Sequence, residues 1–226
     1  EAVGEAGVEE EGGRGAADGV GEVKLRRGDR GAIMMPNCLQ YPIALFGVLR
    51  AGLTVVNTNP MYTARELKHQ LVDSGASAIL VFDNFAKIVQ DVVSETSVKQ
   101  VITTGLGDLL PFPKGAIVNF VLKYVKKMIP EYDIPGAIRF KNTLTLGQMH
   151  TLPTVDITPQ DIAFLQYTGG TTGVAKGAML THRNLVANMQ QSHAWIGANT
   201  REGSEIIITA LPLYHIFALT ANCLVF

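Results

Sequence analysis

Short apolar runs alternate with longer segments of mixed polarity through the first half of the chain. The runs are bounded by turn residues, as buried strands are, and they occupy residues 30–35, 53–56, 78–82 and 99–103. Segments of helical length separate them, at residues 39–51, 63–74 and 84–94. Strands that alternate with helices in this way predict an α/β fold, with a mostly parallel, doubly wound sheet flanked by helices.

Capping residues mark several of the predicted helix boundaries. Thr63 stands where an N-cap residue is expected, and Gly52 stands where a helix that began at Leu39 would end. Thr181 is a similar N-cap residue before a segment of helical character that runs to about Trp195. We therefore predict helices that begin directly after Thr63 and Thr181.

The second half of the chain carries fewer clear signals. Residues 162–167 and 204–210 are apolar runs that predict two more buried strands. Residues 130–159 are rich in turn residues and predict no defined element. The sequence stops at Phe226 inside an apolar run, so we expect the natural protein to continue beyond it.

Residues 114–129 form the clearest amphipathic segment, and we predict one helix there. Its apolar face comprises Ile117, Val118, Val121, Leu122, Val125, Met128 and Ile129. The opposite face carries Asn119, Lys123, Lys126 and Lys127. Two interpretations stay open: a surface helix packed on the core, or a peripheral contact with an anionic membrane surface.

The first 23 residues differ in composition from the rest of the chain. Residues 1–23 are low-complexity, rich in glycine and glutamate, and lack aromatic residues. Such a segment buries too little apolar area to offset its ordering entropy, so we expect it to be disordered or artefactual. Residues 24–226 then form the folded part.

A glycine- and threonine-rich stretch that contains a lysine is the strongest chemical signal. It comprises Tyr167, Thr168, Gly169, Gly170, Thr171, Thr172, Gly173, Val174, Ala175, Lys176 and Gly177. Glycine lets the backbone approach an anion closely, and successive N–H groups can form an anion-binding nest. Threonine hydroxyls add donors and can bind Mg²⁺, while lysine adds a mobile positive charge. The stretch predicts a loop that binds phosphate.

This predicted loop does not match the Walker A motif. That motif requires a glycine before its lysine and a serine or threonine after it. Ala175 and Gly177 occupy those positions. A phosphotransferase with an unusual P-loop, which would release ADP, is therefore disfavoured, although it remains an alternative.

Residues 168–177 resemble the phosphate loop of the AMP-forming (adenylate-forming) acyl-CoA synthetases. The continuation at 178–185 and the sequence Leu-Pro-Leu-Tyr-His-Ile-Phe at 211–217 are similar to bacterial long-chain fatty-acid–CoA ligases. Residues 35–42 and 52–63 resemble the same subgroup. The order of these motifs makes the resemblance specific, and it extends over residues 24–226.

The resemblance implies a partial AMP-binding (adenylation) domain at residues 24–226, from the large N-terminal domain of an adenylate-forming enzyme. The C-terminal lid domain would be absent. The implied reaction joins a fatty acid to ATP as an acyl-adenylate with release of pyrophosphate, and coenzyme A then displaces AMP. The substrates would be fatty acid, ATP and coenzyme A, with Mg²⁺. The lid lysine and an acidic Mg²⁺ ligand would lie beyond Phe226, so we expect this chain alone to be inactive.

The same resemblance suggests roles for individual residues. Lys176 and His215 would be catalytic, and Thr168 would be the Mg²⁺ ligand, with Thr171 or Thr172 as alternatives. His215 could instead be an ordinary core histidine. Tyr214 and Phe217 would line the acyl pocket or belong to the core, and His69, His150 and His193 receive no role.

Composition limits the cellular compartment and the classes of binding partner that we expect for this protein. The chain is 47% hydrophobic and 17% charged with a net charge of −1, which describes a globular protein and gives no case for nucleic acid. Cys38 and Cys223 are far apart and predict buried free thiols rather than a disulfide. No signal-peptide pattern or spanning run is present, so we expect a cytoplasmic protein, with peripheral contact on the inner face of the membrane if residues 114–129 touch lipid.

Two further classes of function remain open. The ligase could act on a different carboxylic acid, because the acyl pocket is only partly represented. A non-catalytic nucleotide- or lipid-binding module would bind ATP without exchanging pyrophosphate. The sequence indicates no oligomeric state.

Overall fold

The structure is a computed structural model of the chain. It describes residues 25–149, 154–168, 175–197, 200–201 and 203–225. The predicted low-complexity segment 1–23 and residues 169–174 of the predicted phosphate loop lie outside the described residues.

The described strands form one sheet. They are β1 (Arg30–Met34), β2 (Thr54–Asn57), β3 (Ala78–Phe82), β4 (Gln100–Thr104), β5 (Ile138–Arg139), β6 (Ile162–Thr168) and β7 (Lys176–Thr181). Their order across the sheet is β5-β4-β3-β1-β2-β6-β7. All neighbouring pairs are parallel except β6 and β7, which are antiparallel. The mostly parallel α/β sheet predicted from the sequence is confirmed.

Helices connect and cover these strands. They are α1 (Gln40–Arg50), α2 (Ala64–Ser74), α3 (Ala86–Val92), α4 (Lys114–Phe120), α5 (Phe140–Gly147), α6 (His182–Ile196) and α7 (Ile216–Ala218). Short 3-10 turns at Asp83–Phe85 and Val93–Glu95 flank α3. Segments of π-helix extend α4 over Val121–Val125 and α7 over Leu219–Val225. Within the described residues, no helix has the length and apolar character needed to cross a bilayer.

The predicted N-caps are confirmed, and each belongs to a capping box. Glu66 Oε2 accepts a hydrogen bond from Thr63 N at 2.8 Å, and Thr63 Oγ1 accepts one from Glu66 N at 3.4 Å. Thr181 and Asn184 form the same arrangement at the start of α6. Gly75 ends α2 in the left-handed conformation, with φ of 60°. Helix α2 is therefore defined at both ends by local sequence.

Side chains of the central strands alternate between two apolar layers. Ile33 of β1 packs in a cluster with Tyr41 and Leu45 of α1. Ala32, its neighbour, packs on the other face with Leu67 of α2. Strands β2 and β3 are buried along their whole length, which explains the continuous apolar run of β3. The fold is thus helix, sheet and helix in three layers.

The strand order reverses at β1, which defines the place for a site. Strand β2 lies on one side of β1 and β3 lies on the other. Helices α1 and α2 consequently pack in opposite apolar layers. In open α/β sheets, ligands bind beyond the carboxyl ends of strands near such a reversal. The crevice of this reversal lies between the carboxyl ends of β1 and β3, and β2 and β6 end at the same edge of the sheet next to it.

The strand predicted at 204–210 is wrong. The described part of this segment has no strand partner, and Ile206 and Ile208 are 95% and 86% exposed. An apolar run indicates a tendency to be buried, but a strand also needs a neighbour for its backbone groups. Here the segment is attached by a side chain instead, since Asn37 Nδ2 donates to Thr209 O at 3.0 Å.

The helix predicted at 114–129 ends early and is less buried than a core-packed helix. Helical structure stops at Val125, and Lys127 has a φ of 50°. The positive φ of Lys127 interrupts the helical geometry, and Pro130 disfavours that geometry at Ile129. Six large apolar residues of this region are more than half exposed: Phe112, Ile117, Phe120, Tyr124, Val125 and Met128. We call them, together with Lys114, Lys123, Lys126 and Lys127, the basic apolar patch.

Three further elements, and the burial of the two cysteines, were not predicted correctly from the sequence. The turn-rich region 130–159 contains β5 and α5, where a two-residue strand is too short to give a pattern. Strand β7 was not predicted either, because it is an exposed edge strand with little apolar periodicity. Cys38 and Cys223 are free, as expected, but they are half-buried rather than buried.

Candidate functional site

A cleft of about 830 Å³ opens at the carboxyl ends of β2 and β6. Its described lining comes from the β2–α2 connection, the outer face of α2, the end of β6 and the region before α7. The residues are Asn57, Asn59, Tyr62, Thr63, Arg65, Glu66, His69, Gln70, Gln166, Tyr167, Ala175, Tyr214 and His215. The cleft therefore adjoins both described ends of the predicted phosphate loop.

A network of uncharged polar side chains forms the floor of this cleft. Asn57 and Gln166 are opposite each other in the β2–β6 register, and Asn57 Nδ2 donates to Gln166 Oε1 at 3.0 Å. Tyr41 OH donates to Asn57 Oδ1 at 2.7 Å. All three side chains are buried, and burial raises the pKa of Tyr41, so its phenol remains a donor.

This network holds the segment 211–215 against the sheet. Gln166 Nε2 donates to Tyr214 O at 3.1 Å, and Tyr41 OH lies 2.8 Å from Leu213 O. Asn37 Oδ1 accepts from Leu213 N at 2.7 Å. We call Asn37, Tyr41, Asn57 and Gln166 the neutral network. Its contacts place His215, the next residue of the segment, at the cleft.

Sequence stretches far apart in the chain thus meet at one edge of the sheet. Asn37 and Tyr41 come from 35–42, Asn57 comes from 52–63, and Tyr214 comes from 211–217; Gln166 directly precedes the predicted phosphate loop. These are the stretches that carry the resemblance described above. The sequence profile of the AMP-binding enzyme family matches residues 14–226. The chain belongs to this family.

Curated relatives within the family include bacterial ligases. The chain is 58% identical over 202 residues to the long-chain-fatty-acid–CoA ligase of Escherichia coli, covering 89% of this chain and 36% of the relative. It is 57% identical over 209 residues to the enzyme of the same name from Haemophilus influenzae, covering 91% and 37%. The chain therefore spans about a third of the length of the curated relatives it matches.

A solved structure supports the fold. The long-chain-fatty-acid-CoA ligase from Archaeoglobus fulgidus matches with a TM-score of 0.61 at 24% identity. The match covers 87% of this chain and 33% of that one. The described sheet thus has the fold of the corresponding part of that structure.

Thr168 and Lys176 form the last pair of the β6–β7 ladder, on either side of the undescribed residues 169–174. Residues directly opposite in an antiparallel pair project from the same face with their Cβ atoms about 5 Å apart. Both residues are exposed. The side chains that carry the Thr168 hydroxyl and the Lys176 ammonium group therefore extend from neighbouring backbone positions, near the two ends of the predicted loop.

Tyr167 is buried at the start of the predicted loop. Its OH donates to Asp73 Oδ2 of α2 at 2.5 Å. Burial and this carboxylate raise the pKa of Tyr167, which keeps the phenol protonated as the donor. A Cβ atom at Gly177 would lie 3.0 Å from Tyr167 Cε2, so a residue without a side chain allows β7 to pass the ring.

His69 is a cleft residue that the sequence pattern did not indicate. Its Nε2 lies 3.3 Å from the carbonyl oxygen of Ala175, at the end of the predicted loop. Arg65 and His69 both line the cleft, and with Asp73 they follow one another at intervals of four residues. That spacing indicates that the three side chains share one face of a helix. The helix predicted after Thr63 was the sequence signal from which this shared face could have been inferred.

The three residues predicted from the 211–217 stretch differ in position. His215 is exposed and lines the cleft, which excludes its interpretation as a core histidine. Its Nδ1 accepts from Phe217 N at 3.3 Å, so in the neutral ring the proton is on Nε2. Tyr214 also lines the cleft. Phe217 is 63% exposed and is not among the lining residues.

The described part of the cleft is compatible with Mg²⁺ held mainly by substrate and water. No group of three or more His, Cys, Asp or Glu side chains suited to a metal occurs among the described residues. Thr168 offers an exposed hydroxyl oxygen beside the predicted loop. Mg²⁺ commonly takes one or two protein ligands and completes its shell with phosphate oxygens and water. Thr168 fits that role.

A second polar cluster lies near the other end of the strand order, beside β3, β4 and β5. Arg139 Nη1 donates to Asp83 Oδ1 at 2.6 Å, and Nη2 donates to Asp108 Oδ2 at 2.8 Å. Tyr132 OH also donates to Asp83, and Asn119 Nδ2 donates to Asp108 Oδ1 at 2.8 Å. We call these five residues the ionic network. Through Asn119 it fixes α4, which carries the basic apolar patch.

Proposed function

We propose that the protein containing this chain is an AMP-forming long-chain fatty-acid–CoA ligase. The single observation that carries the proposal is the meeting of the family-like stretches at one cleft, where the neutral network joins them. The identity of 58% to a relative named as such a ligase supports the substrate class. The substrates are a long-chain fatty acid, ATP and coenzyme A.

The residues at the loop would act mainly by charge and position. In the first step the fatty-acid carboxylate attacks the α-phosphorus of ATP, and pyrophosphate leaves with the bonding electron pair. Negative charge on the leaving phosphates has to be stabilised in place. Lys176 supplies a positive charge from the first position of β7, and backbone N–H groups of residues 168–177 would add donors.

Mg²⁺ would supply further charge neutralisation at the phosphates, with the Thr168 hydroxyl as its ligand from this chain. His215 lines the cleft together with Tyr167 and Ala175 and would contact the acyl-adenylate through Nε2. The thiol of coenzyme A then attacks the acyl carbon, and AMP leaves. Tyr214 would border the acyl group at the same cleft.

We also propose that the basic apolar patch contacts the inner face of the cell membrane. Phe112 and Phe120 are 89% and 58% exposed, and the patch carries four lysines. Exposed aromatic and aliphatic groups beside lysines complement a bilayer that contains anionic lipid. A peripheral contact of this kind would hold the protein at the membrane in which the fatty acid is dissolved.

The function is tested by product analysis on the protein purified from its natural gene. With ATP, Mg²⁺, palmitate and coenzyme A, we expect palmitoyl-CoA and AMP in equal amounts, and much less product with acetate or coumarate. Lys176→Met should lower kcat by about tenfold to a hundredfold. Lys87→Met, at a half-exposed lysine on α3 that is not among the described cleft residues, is the matched control and should leave kcat unchanged.

Different products would identify the alternative functions. Formation of ADP would favour a phosphotransferase, and binding of ATP without any product would favour a binding module. Equal activity on coumarate and palmitate would contradict the long-chain substrate class while retaining the reaction.

The membrane contact has a separate test. Replacing Lys123, Lys126 and Lys127 together by glutamate should lower binding to phosphatidylglycerol vesicles by about tenfold or more. The control replaces Lys87, Lys99 and Lys141 by glutamate, which gives the same change in charge away from the patch. Equal loss in both variants would contradict a specific role for the patch.

A further inference from the structure

Helix α2 contacts the residues on both sides of the predicted phosphate loop. Asp73 accepts the hydrogen bond of Tyr167 OH at 2.5 Å, where the loop begins. His69 Nε2 lies 3.3 Å from Ala175 O, where the loop ends. His69 and Asp73 are four residues apart, so they project from the same face of α2 about one turn from each other.

We propose that His69 and Asp73 are positioning residues, which hold Tyr167 and Ala175 at a set separation. Tyr167 is bonded directly to Thr168, and Ala175 to Lys176. Holding Tyr167 and Ala175 in place therefore also fixes the backbone positions from which the side chains of Thr168 and Lys176 extend. This inference rests on the proposed function, because the positioned groups are those proposed to meet the ATP phosphates.

Helix α2 has the rigidity that such a role requires. The capping box at Thr63 and the left-handed Gly75 define its ends. Leu67 and Leu71 are fully buried beneath it. Gln70 Nε2 donates to Asn57 O at 2.9 Å, which ties the helix to the end of β2. The two outward side chains thus extend from a fixed support rather than from a loop.

The Tyr167 ring provides a second constraint. It is buried, with its hydroxyl bound to α2 and one ring edge against Gly177 of β7. A Cβ atom at Gly177 would stand 3.0 Å from Cε2 and 3.1 Å from Cζ of this ring. The ring therefore connects α2 to β7, and displacing the ring would also displace the strand that begins with Lys176.

His69 can hold Ala175 only as a donor. The acceptor is a carbonyl oxygen, so Nε2 must carry a proton, as it does in the Nε2–H tautomer and in the protonated ring. A glutamine side chain can supply an N–H group, whereas an alanine side chain cannot. For Asp73, asparagine retains an oxygen that can accept from Tyr167, and leucine does not. Comparing the two variants at each position therefore separates the effect of the lost hydrogen bond from the effect of changed side-chain volume.

The competing explanation is that both contacts only stabilise α2 on the sheet. It predicts that disruptive variants unfold at a lower temperature while the KM for ATP stays the same. The positioning role predicts a higher KM for ATP in variants whose unfolding temperature is close to that of the parent. The conservative variants His69→Gln and Asp73→Asn should keep the KM for ATP close to that of the parent.

The test measures fatty-acid-dependent exchange of pyrophosphate into ATP in the protein from its natural gene. His69→Ala and Asp73→Leu should each raise the KM for ATP about three- to tenfold, the size expected for one lost hydrogen bond. The KM for fatty acid should change less than twofold, and His69→Gln and Asp73→Asn should stay within twofold of the parent. Val72→Ala, an exposed residue on the same helix, is the control.

A second measurement remains informative if the proposed function fails. Hydrogen exchange of the amides of Tyr167, Lys176 and Gly177 reports their mobility without any substrate. His69→Ala and Asp73→Leu should speed that exchange, and Val72→Ala should not. Unchanged exchange together with unchanged KM for ATP would overturn the inference. A parent that exchanges no pyrophosphate with any acid would overturn the proposed function, while faster amide exchange in the two variants would still support the positioning contacts.

Discussion

The sheet has two polar networks at its carboxyl edge, and they differ in chemistry and in what they hold. Three members of the neutral network are nearly inaccessible to water: Tyr41 is 0%, Asn57 is 3% and Gln166 is 7% exposed, while Asn37 is exposed at its edge. The ionic network centres on Arg139, whose side chain is 39% exposed and lies between carboxylates that are each 10% exposed.

The difference follows from the cost of burying charge. A fully buried ion pair loses most of its hydration, whereas neutral amides need only hydrogen-bond partners. The neutral network can therefore join segments in the interior, and it carries residues 211–215 to the cleft. The ionic network stays at the margin, where solvent reaches Arg139, and it fixes α4. We expect disruption of the neutral network to lower both catalysis and stability, and disruption of the ionic network to lower stability alone.

The largest effect is expected from breaking the neutral network. Gln166→Leu would leave Asn57 Nδ2 without its acceptor and Tyr214 O without its donor. We expect the free energy of unfolding to fall by about 3 kcal/mol, as measured by urea denaturation, because each buried unpaired group costs energy. Adenylation activity should fall as well. The same substitution at exposed Gln191 is the control, and an equal loss there would contradict the account.

Breaking the ionic network should have a smaller effect on stability. Arg139→Met removes the partner of both Asp83 and Asp108, and solvent access to the site limits the cost to about 2 kcal/mol. Arg139→Lys keeps the charge but loses the paired geometry, so it should lie between the parent and Arg139→Met. Pyrophosphate exchange per folded molecule should be unchanged. A lower kcat in Arg139→Met would contradict the division of roles.

Salt should distinguish the two networks further. Raising the NaCl concentration to roughly 1 M shortens the screening length to about 3 Å, which weakens partly exposed ion pairs. The destabilisation caused by Arg139→Met should therefore shrink in salt, whereas that caused by Gln166→Leu should not. Urea titrations at low and high salt would measure both. Equal salt dependence in the two variants would show that the networks do not differ as described.

The smallest effect is expected at an exposed carboxylate outside both networks. Hydrogen bonds from Thr63 lower the pKa of Glu66 below its usual value. A lowered folded-state pKa means that the stabilisation is present above the unfolded pKa of about 4.3 and is lost as pH falls through the folded value. Glu66→Ala should thus be less stable than the parent at pH 7. The difference should diminish on acidification, and a difference that grew would contradict this sign.

The sequence pattern predicted the first half of the fold well because its signals are local. Strand β3 is buried on both faces, so its apolar run is continuous, and α2 begins at a capping box. The strand predicted at 204–210 failed because apolar character does not specify a pairing partner. The helix at 114–129 ended early because Lys127 has a positive φ, which the apolar pattern does not show.

The candidate site was predictable only where one stretch contains it. Residues 167–177 carry the pattern that predicts a phosphate loop, and this stays a prediction; His215 was singled out by its motif, and it lines the cleft. The bond between Asn57 and Gln166 joins positions 109 residues apart and depends on the adjacency of β2 and β6. His69 looked like an ordinary exposed residue, because helical spacing shows a shared face without showing what that face meets.

The most direct test of the central claim is pyrophosphate exchange in the protein from its natural gene. The claim is that ATP is cleaved between its α- and β-phosphates at the cleft beside β2 and β6. We predict that labelled pyrophosphate enters ATP only when palmitate and Mg²⁺ are present, and that Lys176→Met reduces this exchange at least tenfold. Bound ATP without exchange, or release of ADP, would contradict the account.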